Sequence, residues 1–475
     1  MCIICAAALV LSSFSACNNE PVVTAGTTYS TAEEVGASEA ASSSQAIPPP
    51  GASASSIGSK DSSVPGSSEV ESFIVTDEMK ERINNICKNL NVTGMSIAAF
   101  KGENLFYKQS YGYADKALQI PANDQTKYRI ASISKTITGI MAMKLISEGK
   151  FCLNTRVSDY LGVNLDNPRY PNDKITVKQL LTHTSGIMDS YAYETATNTP
   201  MPLNKLLSYG GIHADYRPGT MYLYSNLGAG LMSGVIEQAT GKRFYDYAKE
   251  SLFTPLNMDA GFLRTEIKDT QSLAQIYLNN HLTVNVKQWM RVESLYDNIP
   301  VGQMYMLGQS DLIISASDLA EFAMALAGDG TVKGIRILQK PSVDEMNKVQ
   351  FTDGKMTRGL ALHITGNLVK GRTLHGHLGQ AYGMISGMYF DPTDKTGVMF
   401  ITNGCTQKKT ARGNFAISEA LVNAVYSEFF DKTSAIYTTR ADKNGVLYTV
   451  QSKSSEDSAS QQTKSGCSGM SAATN

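Results

Sequence analysis

The hydrophobic pattern divides the chain into a structured middle and two polar ends. From residue 77 to 90, apolar Met79, Ile83, Ile86 and Leu90 recur at helical spacing. Asp77 and Glu78 fall in the first turn, where a helix N-terminus favours negative charge. Residues 95–100 and 104–112 read as a β-hairpin turning at Lys101-Gly102-Glu103. Helical patterns follow at 134–148, stopping at Gly149, then at 176–182 and 227–239, the last with Gly228, Ala229 and Gly230 permitting close packing. Ser317 is expected to cap a helix running to residue 326, with Asp318 in its first turn. Residues 385–390 and 397–402 form a second hairpin around Asp391-Pro392-Thr393-Asp394, and 415–430 a closing helix. Strands lie at both ends of this stretch and helices in its middle. The order predicts an α+β fold, an antiparallel β-sheet flanked by helices with an inserted, mostly helical lobe.

The ends are of a different character. Residues 3–11 form an apolar run too short to span a bilayer and long enough for a signal-peptide core. Phe14-Ser15-Ala16-Cys17 then resembles a bacterial lipoprotein cleavage site. Residues 1–17 are therefore expected to be a signal peptide with Cys17 as the lipidated residue, which implies an extracytoplasmic chain held to the cell membrane by a lipid anchor. Lys and Arg are absent ahead of the apolar run, and plain secretion is the alternative. Residues 18–72 are rich in Ser, Ala, Gly and Pro and read as a disordered linker. Residues 73–432 form the folded domain, and 433–475 a polar, largely disordered tail.

Charge and cysteines narrow the classes. With 42 basic and 43 acidic residues interspersed, the net charge of −1 argues against a nucleic-acid partner. Cys87, Cys152, Cys405 and Cys467 show no metal-ligand spacing and read as buried free thiols. No cofactor and no metal are called for. Gly-x-Ser-x-Gly of α/β-hydrolases and His-Glu-x-x-His of metallohydrolases are both absent from the sequence.

Candidate chemistry starts at Ser132-Ile133-Ser134-Lys135. On a helix, residues i and i+3 share a face. A serine hydroxyl needs a neighbour to take its proton. With a reference pKa of about 10.4, roughly one lysine in 2,500 is neutral at pH 7, so Lys135 must be buried or near another cation to serve. The competing reading makes Ser132 a helix cap and Lys135 a surface residue. The same spacing recurs at Ser147-Glu148-Gly149-Lys150, a decoy. Two further elements follow in order: Tyr224-Ser225-Asn226 after the Pro218-Gly219 turn, and His377-Leu378-Gly379 in a Gly-rich stretch. Tyr-x-Asn also occurs at Tyr277-Leu278-Asn279 and Tyr296-Asp297-Asn298.

In that order and with its flanks, the chain resembles the serine β-lactamase and penicillin-binding-protein superfamily. The flanks are Tyr128-Arg129-Ile130-Ala131, Leu180-Leu181-Thr182-His183-Thr184-Ser185-Gly186 and Ser315-Ala316-Ser317-Asp318-Leu319. The branch resembled is the class C-like one, with class C β-lactamases, D-Ala-D-Ala carboxypeptidases, D-aminopeptidases and family VIII esterases. The resemblance implies an active site between the sheet and the helical lobe. It implies Ser132 as the nucleophile and Lys135 as its base, with Tyr224 as a second base or shuttle whose pKa a nearby lysine charge lowers. Asn226 would hold Lys135 or the substrate's amide, or cap the following helix. His377 would line the cleft near the tyrosine, acting as a cation when protonated, with His375 as a confounder two residues earlier. Gly379 and Gln380 would complete the substrate site, the backbone N–H groups of Ser132 and Gln380 forming the oxyanion hole. His183 is left outside the site as a structural residue.

Leu378 departs from the pattern, since relatives commonly carry Thr or Ser there to bind a substrate carboxylate. That favours esters, amides or D-amino-acid derivatives over β-lactams and peptides ending in a free D-Ala carboxylate. The expected function is a serine hydrolase acting through an acyl-enzyme on small molecules or peptidoglycan-type peptides. A β-lactamase or D-Ala-D-Ala carboxypeptidase proper is one alternative, and a catalytically silent binding or penicillin-sensing lipoprotein is another.

Overall fold

The computed structural model describes residues 75–431 together with 437–441 and 447–451. The expected signal peptide, Cys17 and the linker lie outside them. The opening helix α1 (Asp77–Asn89) starts where Thr76 accepts the Met79 N–H at 3.1 Å. The hairpin β1 (Gly94–Lys101) and β2 (Asn104–Asp115) follows, then the short strand β3 (Ile120–Pro121). Helices α2 (Ser134–Ser147), α3 (Val177–Thr182), α4 (Asn226–Thr240) and α5 (Ala316–Ala327) come next. The chain then returns to the sheet with β4 (Phe351–Thr352), β5 (Thr357–Arg358), β6 (His363–Thr365), β7 (Leu374–Ala381), β8 (Met384–Asp391) and β9 (Thr396–Thr402). Helix α6 (Ala416–Val425) closes the domain and continues as a wider turn, Tyr426–Phe430.

The nine strands form one antiparallel sheet in the order β4-β5-β6-β7-β8-β9-β1-β2-β3. Its centre joins the two ends of the domain, Met95 of β1 facing Thr402 of β9. Alternation along these strands decides what packs where. Ile97, Ala99, Val398 and Phe400 meet Met79 and Ile83 of α1 and Ile417 and Leu421 of α6 in one buried cluster. Ala98, Phe100, Met399 and Ile401 belong to a second cluster shared with α2, α4 and α5. Both faces are covered, so β1 is buried along almost its whole length. Gly230 of α4 is needed for the approach the sequence suggested, because a β-carbon there would collide with the Tyr305 carbonyl.

Three expectations are corrected. The helix cap is Ser315, whose hydroxyl accepts the Asp318 N–H at 3.1 Å, and Ser317 lies inside the helix. Part of the segment expected as a disordered tail forms a hairpin, β10 (Tyr437–Ala441) with β11 (Leu447–Gln451). Cys87 and Cys405 are buried free thiols as expected, but Cys152 is exposed.

Candidate active site

Ser132 sits in a tight 3-10 turn, Ala131–Ile133, that runs directly into α2. The turn is pinned from several sides. The Ile130 N–H donates to the Leu312 carbonyl at 3.0 Å. Ser134 Oγ donates to the Ala131 carbonyl at 2.7 Å and accepts the Leu312 N–H at 3.1 Å. Ala131 is held at φ 49°, a left-handed conformation that a non-glycine residue keeps only when its surroundings enforce it. Strand β7 lies against this turn. A β-carbon at Gly379 would collide with both the Ile130 carbonyl and Ser386 Oγ, so only glycine permits the approach. Ser386 Oγ locks it by donating to the Ile130 carbonyl at 2.8 Å. Gln380, next along β7, is exposed, and its side chain donates to Gln407 Oε1 at 3.1 Å.

The hydroxyl of Ser132 has two partners. Tyr224 OH donates to it at 2.7 Å, and Lys135 Nζ lies 3.0 Å away. The lysine is 3% exposed, with Nζ also 2.9 Å from Asn226 Oδ1 and 2.8 Å from the Gln309 carbonyl. Those two oxygens accept only. A neutral amine therefore spends its two N–H groups on them and turns its lone pair to Ser132 Oγ. Burial pushes the Lys135 amine down to about 7, helped by the Arg358 and Arg129 charges and opposed by the Asp189 and Asp311 carboxylates. The Ser147 decoy is exposed, its hydroxyl donating to the Lys144 carbonyl.

Tyr224 departs from expectation. Burial raises its phenol to about 12, outweighing the Ser132 hydrogen bond and the Arg358 charge. Its ring stacks on His183 at 4.4 Å, so His183 supports the tyrosine from outside the reacting groups. The His183 Nδ1 also accepts the Ser225 N–H at 3.3 Å. The α4 cap is Ser225, which accepts the Gly228 N–H, and this frees Asn226 for the lysine. Asn226 is oriented by a residue the sequence reading missed. Asp189 Oδ2 accepts Asn226 Nδ2 at 2.9 Å, and Oδ1 accepts Ser225 Oγ at 3.0 Å and the Leu227 N–H at 2.8 Å. With its amide nitrogen so occupied, Asn226 presents its oxygen to Lys135.

His377 does reach the tyrosine, its ring centre 6.4 Å from that of Tyr224. It is not a cation there. The ring is buried, and burial with the Arg358 and Lys135 charges holds it well below the usual imidazole range. Nδ1 pairs with the Leu378 carbonyl at 2.7 Å. His375 is bound elsewhere, to Asn347 Oδ1 at 2.8 Å. Leu378 packs against the cluster under α1 and α6.

The model of the Beta-lactamase family matches residues 79–421. The chain belongs to that family. Among curated relatives of this Beta-lactamase family member is Protein flp of Staphylococcus aureus (strain N315), 33% identical over 190 residues, which are 39% of this chain and 38% of that protein. The chain thus spans less than half the length of that relative. Among solved structures, the octameric penicillin-binding protein homologue from Pyrococcus abyssi matches 80% of this chain and 86% of its own, at 21% identity and a TM-score of 0.60. The D-amino acid amidase from Ochrobactrum anthropi SV3 matches 74% of this chain and 99% of its own, at 22% identity and a TM-score of 0.55. These likenesses bear on the fold, the antiparallel sheet with flanking helices that the sequence predicted.

Proposed function

We propose that this Beta-lactamase family member is a serine hydrolase working through an acyl-enzyme on Ser132, and that its substrates are small esters, amides or D-amino-acid peptides of the cell-wall type. The observation that carries the reading is the arrangement around Ser132 Oγ, with Tyr224 OH at 2.7 Å and a buried Lys135 Nζ at 3.0 Å. Ser132 attacks the carbonyl carbon while its proton passes to the neutral Lys135 amine. The oxyanion is received by the N–H groups of Ser132 and Gln380. As the bond to the leaving oxygen or nitrogen breaks, Tyr224 hands that atom its proton and is reprotonated from Lys135. The acyl group stays on Ser132 Oγ until a water repeats the sequence, its proton going to Lys135 and the serine regaining its own.

One structural relative is a D-amino acid amidase and another a penicillin-binding protein homologue. We extend that range of acyl donors to this chain without a preference from Leu378, whose side chain packs on the α1 and α6 face of the sheet, opposite the face that carries His377 and Gly379. Purified protein tested on short-chain nitrophenyl esters, a chromogenic cephalosporin and D-Ala-D-Ala peptides is expected to turn over at least one of them through an acyl adduct on Ser132. A burst without turnover would reveal a penicillin sensor, and no acyl adduct on any of them a binding protein. The same reading places the mature chain outside the cytoplasm on a lipidated Cys17. Membrane partition with lipid mass on the N-terminal peptide is expected, and a freely soluble export product without that mass would defeat the anchor.

A further inference from the structure

Among the described residues three arginines are buried in the core, and two have an acid. Arg129 pairs with Asp311 at 3.0 Å, and Arg264 pairs with Glu293. Arg358, on β5, is different. It is fully buried, and Nε, Nη1 and Nη2 have no hydrogen-bond partner among the described residues. No carboxylate among them pairs with it. Its guanidinium instead lies 5.7 Å over the Tyr222 ring, and its backbone is the register partner of His363. A guanidinium stays charged at every working pH, and a buried charge without a counter-ion is strongly unfavourable. Strain of this kind persists where function demands it.

What surrounds Arg358 is the back of the active site. His363 meets His377 edge-on at 4.7 Å, His377 faces Tyr224 at 6.4 Å, and Tyr224 stacks on His183 at 4.4 Å. Lys135 Nζ lies 4.9 Å over the Tyr224 ring. We propose that Arg358 is a positioning residue whose unneutralised charge, set behind the tyrosine and the three imidazoles, adds to burial in favouring the free base of Lys135. This rests on the serine-hydrolase reading and adds to it a group that shifts the working pH.

The other charges facing Lys135 do not supply this. Asp189 and Asp311 stabilise the protonated lysine, and Arg129, which acts the other way, is paired with Asp311. His183, His363 and His377 are all held neutral by burial and by Arg358 itself. Tyr222 and Tyr224 are phenols held protonated, and Asp353, exposed on the β4–β5 turn, helps raise Tyr222. Arg358 thus takes the place of the cation that His377 is too buried to provide.

The test is the pH dependence of ester kcat/KM in the full chain for wild type, Arg358→Met, Arg358→Gln and Arg358→Lys. The active lysine is the free base, so activity falls as pH drops through its pKa. Removing the positive charge raises that pKa. Both neutral variants are expected to move the acid limb up by about one pH unit, the scale of one charge acting through protein. The rate at pH 7 then falls about fivefold, while the alkaline plateau is kept. Their melting temperatures should hold or rise, since an unpaired buried charge has gone. Arg358→Lys should move the limb with the neutral variants, because a lysine buried there without a partner gives up its proton where arginine does not. An unmoved limb in a folded neutral variant overturns the proposal, as does loss of the plateau or failure of both neutral variants to fold. A wild-type limb that shifts with chloride at fixed ionic strength also overturns it, because an ion would then neutralise Arg358. Turnover surviving in Ser132→Ala defeats the serine reading and this one together, whereas Ser132-dependent turnover with an unmoved limb defeats this one alone.

Discussion

Ser132→Ala is expected to abolish turnover, by about 10⁴-fold or more, and to abolish labelling by a serine-directed phosphonate. The effect is large because the substitution removes the atom that becomes acylated, and neither remaining group can take its place. Tyr224 is held protonated with its phenol near 12, and Lys135 Nζ is enclosed by Asn226 and the Gln309 carbonyl. The fold should survive. The turn is fastened by Ser134 and Ser386 rather than by Ser132, and losing one hydroxyl's bonds costs about 1 kcal/mol. Ser147→Ala, at the exposed decoy, is the matched control and should leave the chemistry untouched. Labelling retained in a folded Ser132→Ala protein would move the nucleophile elsewhere.

Tyr224→Phe should slow acylation by about 10²-fold, the usual scale for a positioned acid–base group. The ring and its stack on His183 are kept, so the melting temperature should change little. The acid limb of the pH profile should stay near 7, because it belongs to Lys135 and not to the tyrosine. Single-turnover acylation measured across pH separates the possibilities. A nearly normal rate would make Tyr224 a packing residue. Disappearance of the acid limb would make it the base, against the direction in which burial moves its phenol.

The helices and hairpins were legible because periodicity is a local property, and α1, α2, α4 and both hairpins follow it closely. The cap of α5 was misread among Ser315, Ala316 and Ser317 because two serines flank the start and only backbone geometry chooses between them. Ser132, Lys135, Tyr224 and Asn226 carried a local signature and are brought together. Asp189, the Gln309 carbonyl and Arg358 carried none. Each reaches the site only through tertiary packing, Asp189 from the loop that follows α3 and Arg358 from near the far edge of the sheet. His377 shows the limit from the other side. Its position was written in the motif, but its charge depends on burial, which no short pattern records. His183 was read as a structural residue, and its stack on Tyr224, a partner distant in sequence, is not recorded in its own short element.

The pairing of β1 with β9 has a consequence for how the chain is made. Met95 finds Thr402 only after nearly the whole domain has been synthesised. Closing so long a loop adds little to the entropic cost, which grows only logarithmically, but such non-local pairing slows folding. Until β9 arrives, β1 has β2 on one side and an open, apolar edge on the other, a template for pairing with another nascent chain. A ribosome-bound fragment ending before residue 396 should therefore aggregate or recruit a holdase rather than fold, and any truncation that removes β9 leaves half of the hydrophobic middle without its lid.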